Sequence, residues 1–206
     1  MKTNERLNPP EFSAIFLMAG NSTRFGKTKA FLNFNSSQSF LQKLVNEYIA
    51  AGITEILLII NDRIAHETKV QIEKIGVTKE VAILINTHPD QGKLSSVLLG
   101  IKAIQSGNSI FLQNPDNPFT TKSLLEQMMN ANRKGKYIVP VYHGKNGHPV
   151  LLSFEMASLL FNEKDMNANM QLLLPKSSRI AVETDDKQIL ANINTIEEYG
   201  KYFQHE

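Results

Sequence analysis

The sequence contains no cysteine, which rules out disulfides, a thiolate nucleophile and cysteine-ligated metal together. No apolar run approaches the roughly 20 residues that a bilayer-spanning helix needs. The opening stretch, MKTNERLNPPEF, also lacks the apolar core of a secretory leader. A soluble, cytoplasmic protein with no membrane partner is the expectation. Charge of one sign is not in excess either, since 22 Lys and Arg stand against 20 Asp and Glu, for a formal net charge of +2. That balance argues against a broad nucleic-acid-binding face and confines any phosphate chemistry to a local site. Internal repeats, low-complexity tracts and linkers are missing, so the chain reads as one domain over 1–206, with residues 1–12 as a loose N-terminal arm.

What the chain does have is alternation. Ser13–Met18, Glu55–Asn61, Val81–Asn86, Ile110–Gln113 and Tyr137–Val141 are short apolar runs of the kind a parallel sheet covered on both faces requires. Ser39–Ala51, Ile64–Ile75, Ser95–Gln105 and Thr121–Lys134 carry helical apolar spacing between them. Strand–helix–strand order predicts an α/β fold with a doubly wound, mostly parallel sheet and helices on both faces. From Gly144 onward the pattern is less regular: Pro149–Ser153, a helix over Phe154–Phe161 and a short strand ahead of Asn192. In such sheets ligands bind beyond the carboxyl ends of the strands, so functional residues are expected just after each apolar run.

The first such place is the loop Ala19–Lys29, AGNSTRFGKTK. Glycines let backbone N–H groups approach anionic oxygens, and the Arg and Lys side chains neutralise charge. Neither the P-loop spacing nor G-x-G-x-x-G occurs. On composition alone, a polar β–α loop with incidental cations fits equally well. Leu17–Lys29, LMAGNSTRFGKTK, however, resembles the L-A-A-G-x-S-x-R-M/F-G-x-x-K loop of nucleotidyltransferases that include the molybdenum-cofactor cytidylyl- and guanylyltransferases. Met18 replaces the usual Ala. The resemblance implies a Rossmann-like nucleotidyltransferase fold and a loop that wraps a triphosphate. Leu17, Ala19, Gly20, Asn21, Ser22, Thr23 and Gly26 would bind nucleotide, with Arg24 on the phosphates and Lys29 near the reacting α-phosphate. Lys29 is expected to be exposed in that loop.

Asp116 follows the run Phe111–Gln113 within FLQNPDNPF. A carboxylate there suits Mg2+, which takes hard oxygen ligands and few protein groups. By itself Pro115-Asp116-Asn117-Pro118 reads as a turn. The segment resembles the family's G-D-x-P, with Asp116 at the metal-binding position and Pro115 in place of Gly. Asn192–Glu198, NINTIEE, resembles the family's D-I-D-T-P-E-D stretch, which implies Asn194 as a second, uncharged metal ligand. A helix start capped by Thr195 or Asn194 fits the same residues.

Asn86–Gly100 is similar to the family segment that borders the nucleobase, matching it at Gly92, Ser95 and Ser96 while Lys93 takes a Met position. Ser95 or Ser96 as a plain helix cap is the alternative. Ala19 stands where relatives using CTP carry Ala and those using GTP carry Gly, so CTP is favoured. Gly144–Leu152 resembles the acceptor side, with His148 matching and Asn146 replacing an Arg; Asn169 replaces another. His148 reads as a general base or as a structural, hydrogen-bonded histidine.

The resulting expectation is a Mg2+-dependent transferase that moves a nucleoside monophosphate from an NTP to a small phosphorylated acceptor of the molybdopterin type, with a molybdenum enzyme as a further partner. The missing arginines leave open a sugar- or polyol-phosphate transferase. Asn194 and Pro115 leave open a non-catalytic chaperone that escorts a cofactor to a molybdenum hydroxylase.

Overall fold

The structure, a computed structural model, describes residues 12–20, 28–104, 108–163 and 170–203. The N-terminal arm expected over 1–12 lies outside these residues except for Phe12, which opens the first strand. The strands are β1 (Phe12–Leu17), β2 (Glu55–Ile60), β3 (Val81–Ile85), β4 (Ser109–Gln113), β5 (Tyr137–Tyr142), β6 (Lys145–Asn146), β7 (Val150–Leu152) and β8 (Arg179–Glu183). The helices are α1 (Phe40–Ala50), α2 (Ala65–Ile75), α3 (Lys93–Ala103), α4 (Lys122–Ala131), α5 (Phe154–Phe161), α6 (Met170–Leu173) and α7 (Ile196–Phe203).

The strands form a sheet in the order β3-β2-β1-β4-β7-β5-β6, with β8 also paired to β5. β1, β2, β3 and β4 run parallel. β7 is antiparallel to both β4 and β5, and β8 is parallel to β5. The doubly wound, mostly parallel α/β sheet expected from the alternation is therefore present. The strand expected ahead of Asn192 is β8, and a 3-10 turn, Lys187–Leu190, separates the two.

Period-two alternation sends side chains of each central strand into two cores. Ala14 and Phe16 of β1 and Ile56, Leu58 and Ile60 of β2 join Leu41, Leu44 and Tyr48 of α1 and Leu125 and Met128 of α4 on one face. Ile15, Leu57 and Ile59 meet Leu94, Val97 and Leu98 of α3 and Met156 and Leu160 of α5 on the other. Ser39 and Thr121 start α1 and α4 by accepting the N–H groups of Gln42 and Leu124. Among the described residues no helix is long and apolar enough to cross a membrane.

The order of the central strands fixes where a ligand can enter. β1 lies between β2 and β4, so the chain heads for opposite edges of the sheet after β1 and after β4, and a crevice opens between their carboxyl ends.

Candidate active site

Two adjoining cavities of about 140 and 250 Å³ occupy that crevice and share Leu17, Gly20, Asn114 and Asp116. Lys29 lines the smaller one, together with Thr28, Ala30 and Pro115. Ala19, Gly92, Lys93 and Ser96 line the larger. Among the described residues, chain neighbours aside, no atom lies within 4 Å of where a Cβ on Gly20 would stand, so they do not demand glycine there. The space it leaves belongs to both cavities.

The loop that carries Asp116 is shaped from below. Gln113, the last residue of β4, is fully buried. Its carbonyl oxygen accepts from the hydroxyls of Tyr48 and Thr120 at 3.0 and 2.9 Å. Its amide donates to the Asn114 and Asn117 carbonyls at 2.7 and 3.0 Å. Every polar atom of the Gln113 side chain is thus satisfied, which makes the turn after β4 specific. Asn117 extends the arrangement: its amide reaches the carbonyls of Gln188, Ile189 and Ala191 at 3.2, 2.8 and 2.9 Å. The Ile193 N–H donates to the Asp116 carbonyl at 2.9 Å. These bonds hold the Asp116 loop against the C-terminal segment that bears Asn194.

Lys29 sits in a short 3-10 turn, and its ammonium donates to Asn194 Oδ1 and lies 3.9 Å from Asp116 Oδ2. Its side chain is only 18% exposed, which corrects the expectation of an exposed loop lysine. The cause is the C-terminal segment closing over it. Thr195 and Glu198 form a capping box at the start of α7: Thr195 Oγ1 accepts the Glu198 N–H at 3.2 Å, and Glu198 Oε2 accepts those of Thr195 and Asn194 at 3.0 and 2.6 Å. Asn194 is therefore both part of a helix start and a residue facing Lys29. α7 itself is anchored by rings, Phe203 lying 5.3 Å from Phe40 and stacking on Phe119 at 5.8 Å.

Burial raises the Asp116 pKa, while Lys29 and Lys93 oppose that shift. Lys93 opens α3 and is exposed as a residue, yet enough protein surrounds its ammonium that desolvation lowers its pKa, with Asp116 acting against the shift. His148 supplies the carbonyl of a cis peptide bond to Pro149. Burial, then Lys93, lowers its pKa to about 4, so the ring is neutral at pH 7. Its Nε2 lies 3.4 Å from the Asn114 amide, and Nδ1 has no partner among the described residues.

Of the residues expected to bind substrate, Leu17, Ala19, Gly20, Lys29, Gly92, Ser96 and Asp116 converge on the cavities. Asn21, Ser22, Thr23, Arg24, Gly26 and Asn169 lie outside the described residues. Ser95 does not line either cavity. α3 begins at Lys93, so Ser95 is inside the helix, where its hydroxyl donates to the Gly92 carbonyl at 2.8 Å rather than capping it. Ser96 accepts from the Asn86 amide at 2.9 Å and is likewise no cap. Asn146 is also away from the cavities: it is exposed on β6, and its Oδ1 accepts from Arg179 at 2.7 Å. Sequence reasoning missed Asn117, whose partners lie more than 70 residues along the chain. It noted Lys93 without giving it a role.

A divalent cation fits this donor set in one way only. Among the described residues no group of three or more His, Cys, Asp or Glu is placed to enclose a metal. Asp116 and Asn194 both face one point, at present the Lys29 ammonium, and offer one carboxylate and one amide oxygen. That is too little for an all-protein cage but suits a hard cation that takes its remaining oxygens from phosphates.

The chain matches the MobA-like NTP transferase domain over residues 14–177. It is 23% identical over 185 residues to the molybdenum cofactor cytidylyltransferase of Escherichia coli (strain K12), covering 90% of this chain and 92% of that one. A nucleotidyl transferase from Methanothermobacter thermautotroptrophicus superposes with a TM-score of 0.77 at 19% identity, over 95% of this chain and 97% of that one. A Mycobacterium tuberculosis H37Rv protein crystallised in complex with manganese gives a TM-score of 0.71 at 15% identity, over 96% and 100% of the two chains. With a crevice at the switch point lined by Lys29 and Asp116, and a family match across most of its length, the chain belongs to the MobA-like NTP transferase domain family and is a nucleotidyltransferase.

Proposed function

We propose that this nucleotidyltransferase moves CMP from CTP to the phosphate of a molybdopterin-type acceptor, with Mg2+ held by Asp116 and Asn194. The observation that carries the reading is the meeting of Lys29 and Asp116 on two adjoining cavities, with Asn194 closing over them from the C-terminal segment. In the step itself, an acceptor phosphate oxygen forms a bond to the α-phosphorus while the bond to the β-bridging oxygen breaks. The electron pair leaves with pyrophosphate. An ionised phosphate needs no general base, and a neutral His148 agrees with an orienting role through Asn114. Lys29, already fixed by two partners, would neutralise charge at the α-phosphate without reorganising. Divalent metal bound at Asp116 would supply charge neutralisation on the triphosphate. Catalysis then rests on positioning and electrostatics.

The choice of CTP draws support from Ala19 on the wall of the larger cavity and from the cytidylyltransferase relative. The metal draws support from the manganese-bound structural neighbour. A second reading, transfer to a sugar or polyol phosphate, is favoured by Asn146, which is engaged by Arg179 and offers the acceptor no cation. Pyrophosphate release with CTP, GTP and ATP, each with molybdopterin and with a polyol phosphate, tests both. Release with CTP and molybdopterin supports the first reading, and release with the polyol phosphate alone supports the second. Tight nucleotide binding without release under any pairing would contradict both and favour a non-catalytic carrier.

A further inference from the structure

Two anions must meet in this site, the triphosphate and the acceptor phosphate, and each needs a cation. Among the described residues lining the two cavities only Lys29 and Lys93 are cationic. They stand on different walls, with Asp116 common to both. Lys29 is committed to one side, its ammonium bonded to Asn194 and close to Asp116. Lys93 is not: among the described residues it makes no hydrogen bond and no ion pair within 4 Å. An ammonium among cavity walls without a partner is what an anionic ligand would complete. The strand pair β5–β6 brings no alternative, because neither Lys145 nor Arg179, which donates to Asn146, lines either cavity.

Position adds to charge. Gly92, at φ 84°, turns the chain so that α3 begins at Lys93 on the wall of the larger cavity. The charge on Lys93 is felt both by Asp116 and by His148. The ammonium is thus within electrostatic reach both of the carboxylate proposed to serve the nucleotide and of the turn that carries His148.

We propose that Lys93 binds the nucleophilic phosphate of the acceptor, in a phosphomonoester subsite beside the triphosphate site. This inference rests on the nucleotidyl-transfer reading given above. Lys93 holds the attacking dianion next to the α-phosphorus and offsets the repulsion between the two phosphates. One phosphorus–oxygen bond forms, one breaks, and the electron pair departs with pyrophosphate; no proton crosses Lys93.

The test loads the whole protein with Mg2+ and α,β-methylene-CTP, which cannot react at that bond, and titrates inorganic phosphate by calorimetry and 31P NMR. Lys93→Met should weaken phosphate binding by about tenfold or more. Affinity for the nucleotide analogue should change by less than about threefold in the same variant. Lys93→Arg, which keeps the charge, should recover most of the phosphate affinity. Unchanged phosphate affinity in Lys93→Met would overturn the proposal. So would an equal loss of nucleotide affinity, since Lys93 would then belong to the triphosphate. If the unaltered protein takes up the nucleotide and no phosphate, the subsite fails while nucleotidyl transfer stands. If it takes up no nucleotide, the transfer reading fails first and the subsite with it.

Discussion

The half of the molecule built on β1–β4 and the half built on β5–β8 reach the same crevice by different physics. In the first, β1, β2 and β4 are buried along nearly their whole length, and the two cores on either face decide where the strands end. Asp116, just beyond β4, inherits its position from those ends. In the second, β8 alternates between exposed and half-buried residues, and the segment after it is held by individual polar bonds: Asn117 to three carbonyls, His148 N–H to the Ile189 carbonyl at 3.1 Å, and the Thr195–Glu198 box. Even Gly147 belongs to this stitching, since a Cβ there would lie 2.7 Å from the Ile189 carbonyl oxygen. Hydrophobic burial builds the frame, and a few directional bonds close the site over Lys29.

The contrast is sharpest where stability and activity should separate. Leu58→Ala removes a fully buried side chain from β2 and should cost about 3 kcal/mol of stability through transfer and cavity terms. The fraction that remains folded should keep its kcat, measured against folded protein by urea titration and rate together. A matching loss of kcat would break the separation. Lys29→Met should do the reverse, slowing transfer by about 100-fold with a stability loss of roughly 1 kcal/mol. Equal losses of both would make Lys29 structural.

Asn117→Ala falls between the two. It removes one donor from each of three carbonyls, of which only those of Gln188 and Ile189 keep a backbone donor, from Ala191 and His148, and should cost about 2 kcal/mol. It should also raise the KM for nucleotide, because Asp116 and Asn194 lose their tie. A stability loss with unchanged KM would show that the two loops are aligned without it.

The smallest effect concerns pH. His148 has its pKa lowered from 6.5 to about 4, so between those values the unfolded chain binds the additional proton. Stability from this group is complete above pH 6.5 and is lost as pH falls towards 4. Chemical denaturation of the unaltered protein should show that loss, on the order of 1–3 kcal/mol, and His148→Gln should flatten it. An unchanged slope in the variant would assign the acid sensitivity elsewhere.

The same contrast explains what was legible in the sequence. β1, β2, β4 and β5 could be read because burial on both faces leaves continuous apolar runs, and α1 to α4 because their buried residues recur at helical spacing. Lys29, Asp116 and Gly92 stand after strands or at a helix start on the crevice, but it is the motif resemblance, not position alone, that singles them out. β6 and β8 are short or alternate weakly, so they leave little pattern. Asn117 looks like an ordinary turn residue, because its role depends on carbonyls that fold next to it from far along the chain. The expectation of an exposed Lys29 fails for the same reason: its burial comes from Asn194 and the C-terminal segment, which no local spacing announces.

The central claim is that Lys29, Asp116 and Asn194 converge on a metal-bound triphosphate. Crystals grown with Mn2+ and α,β-methylene-CTP, read by anomalous diffraction at the manganese edge, test it directly. The account predicts one manganese peak in contact with Asp116, with Asn194 beside it and the Lys29 ammonium turned onto the α-phosphate. A nucleotide bound with its phosphates away from Lys29, or a manganese peak remote from Asp116, would contradict it.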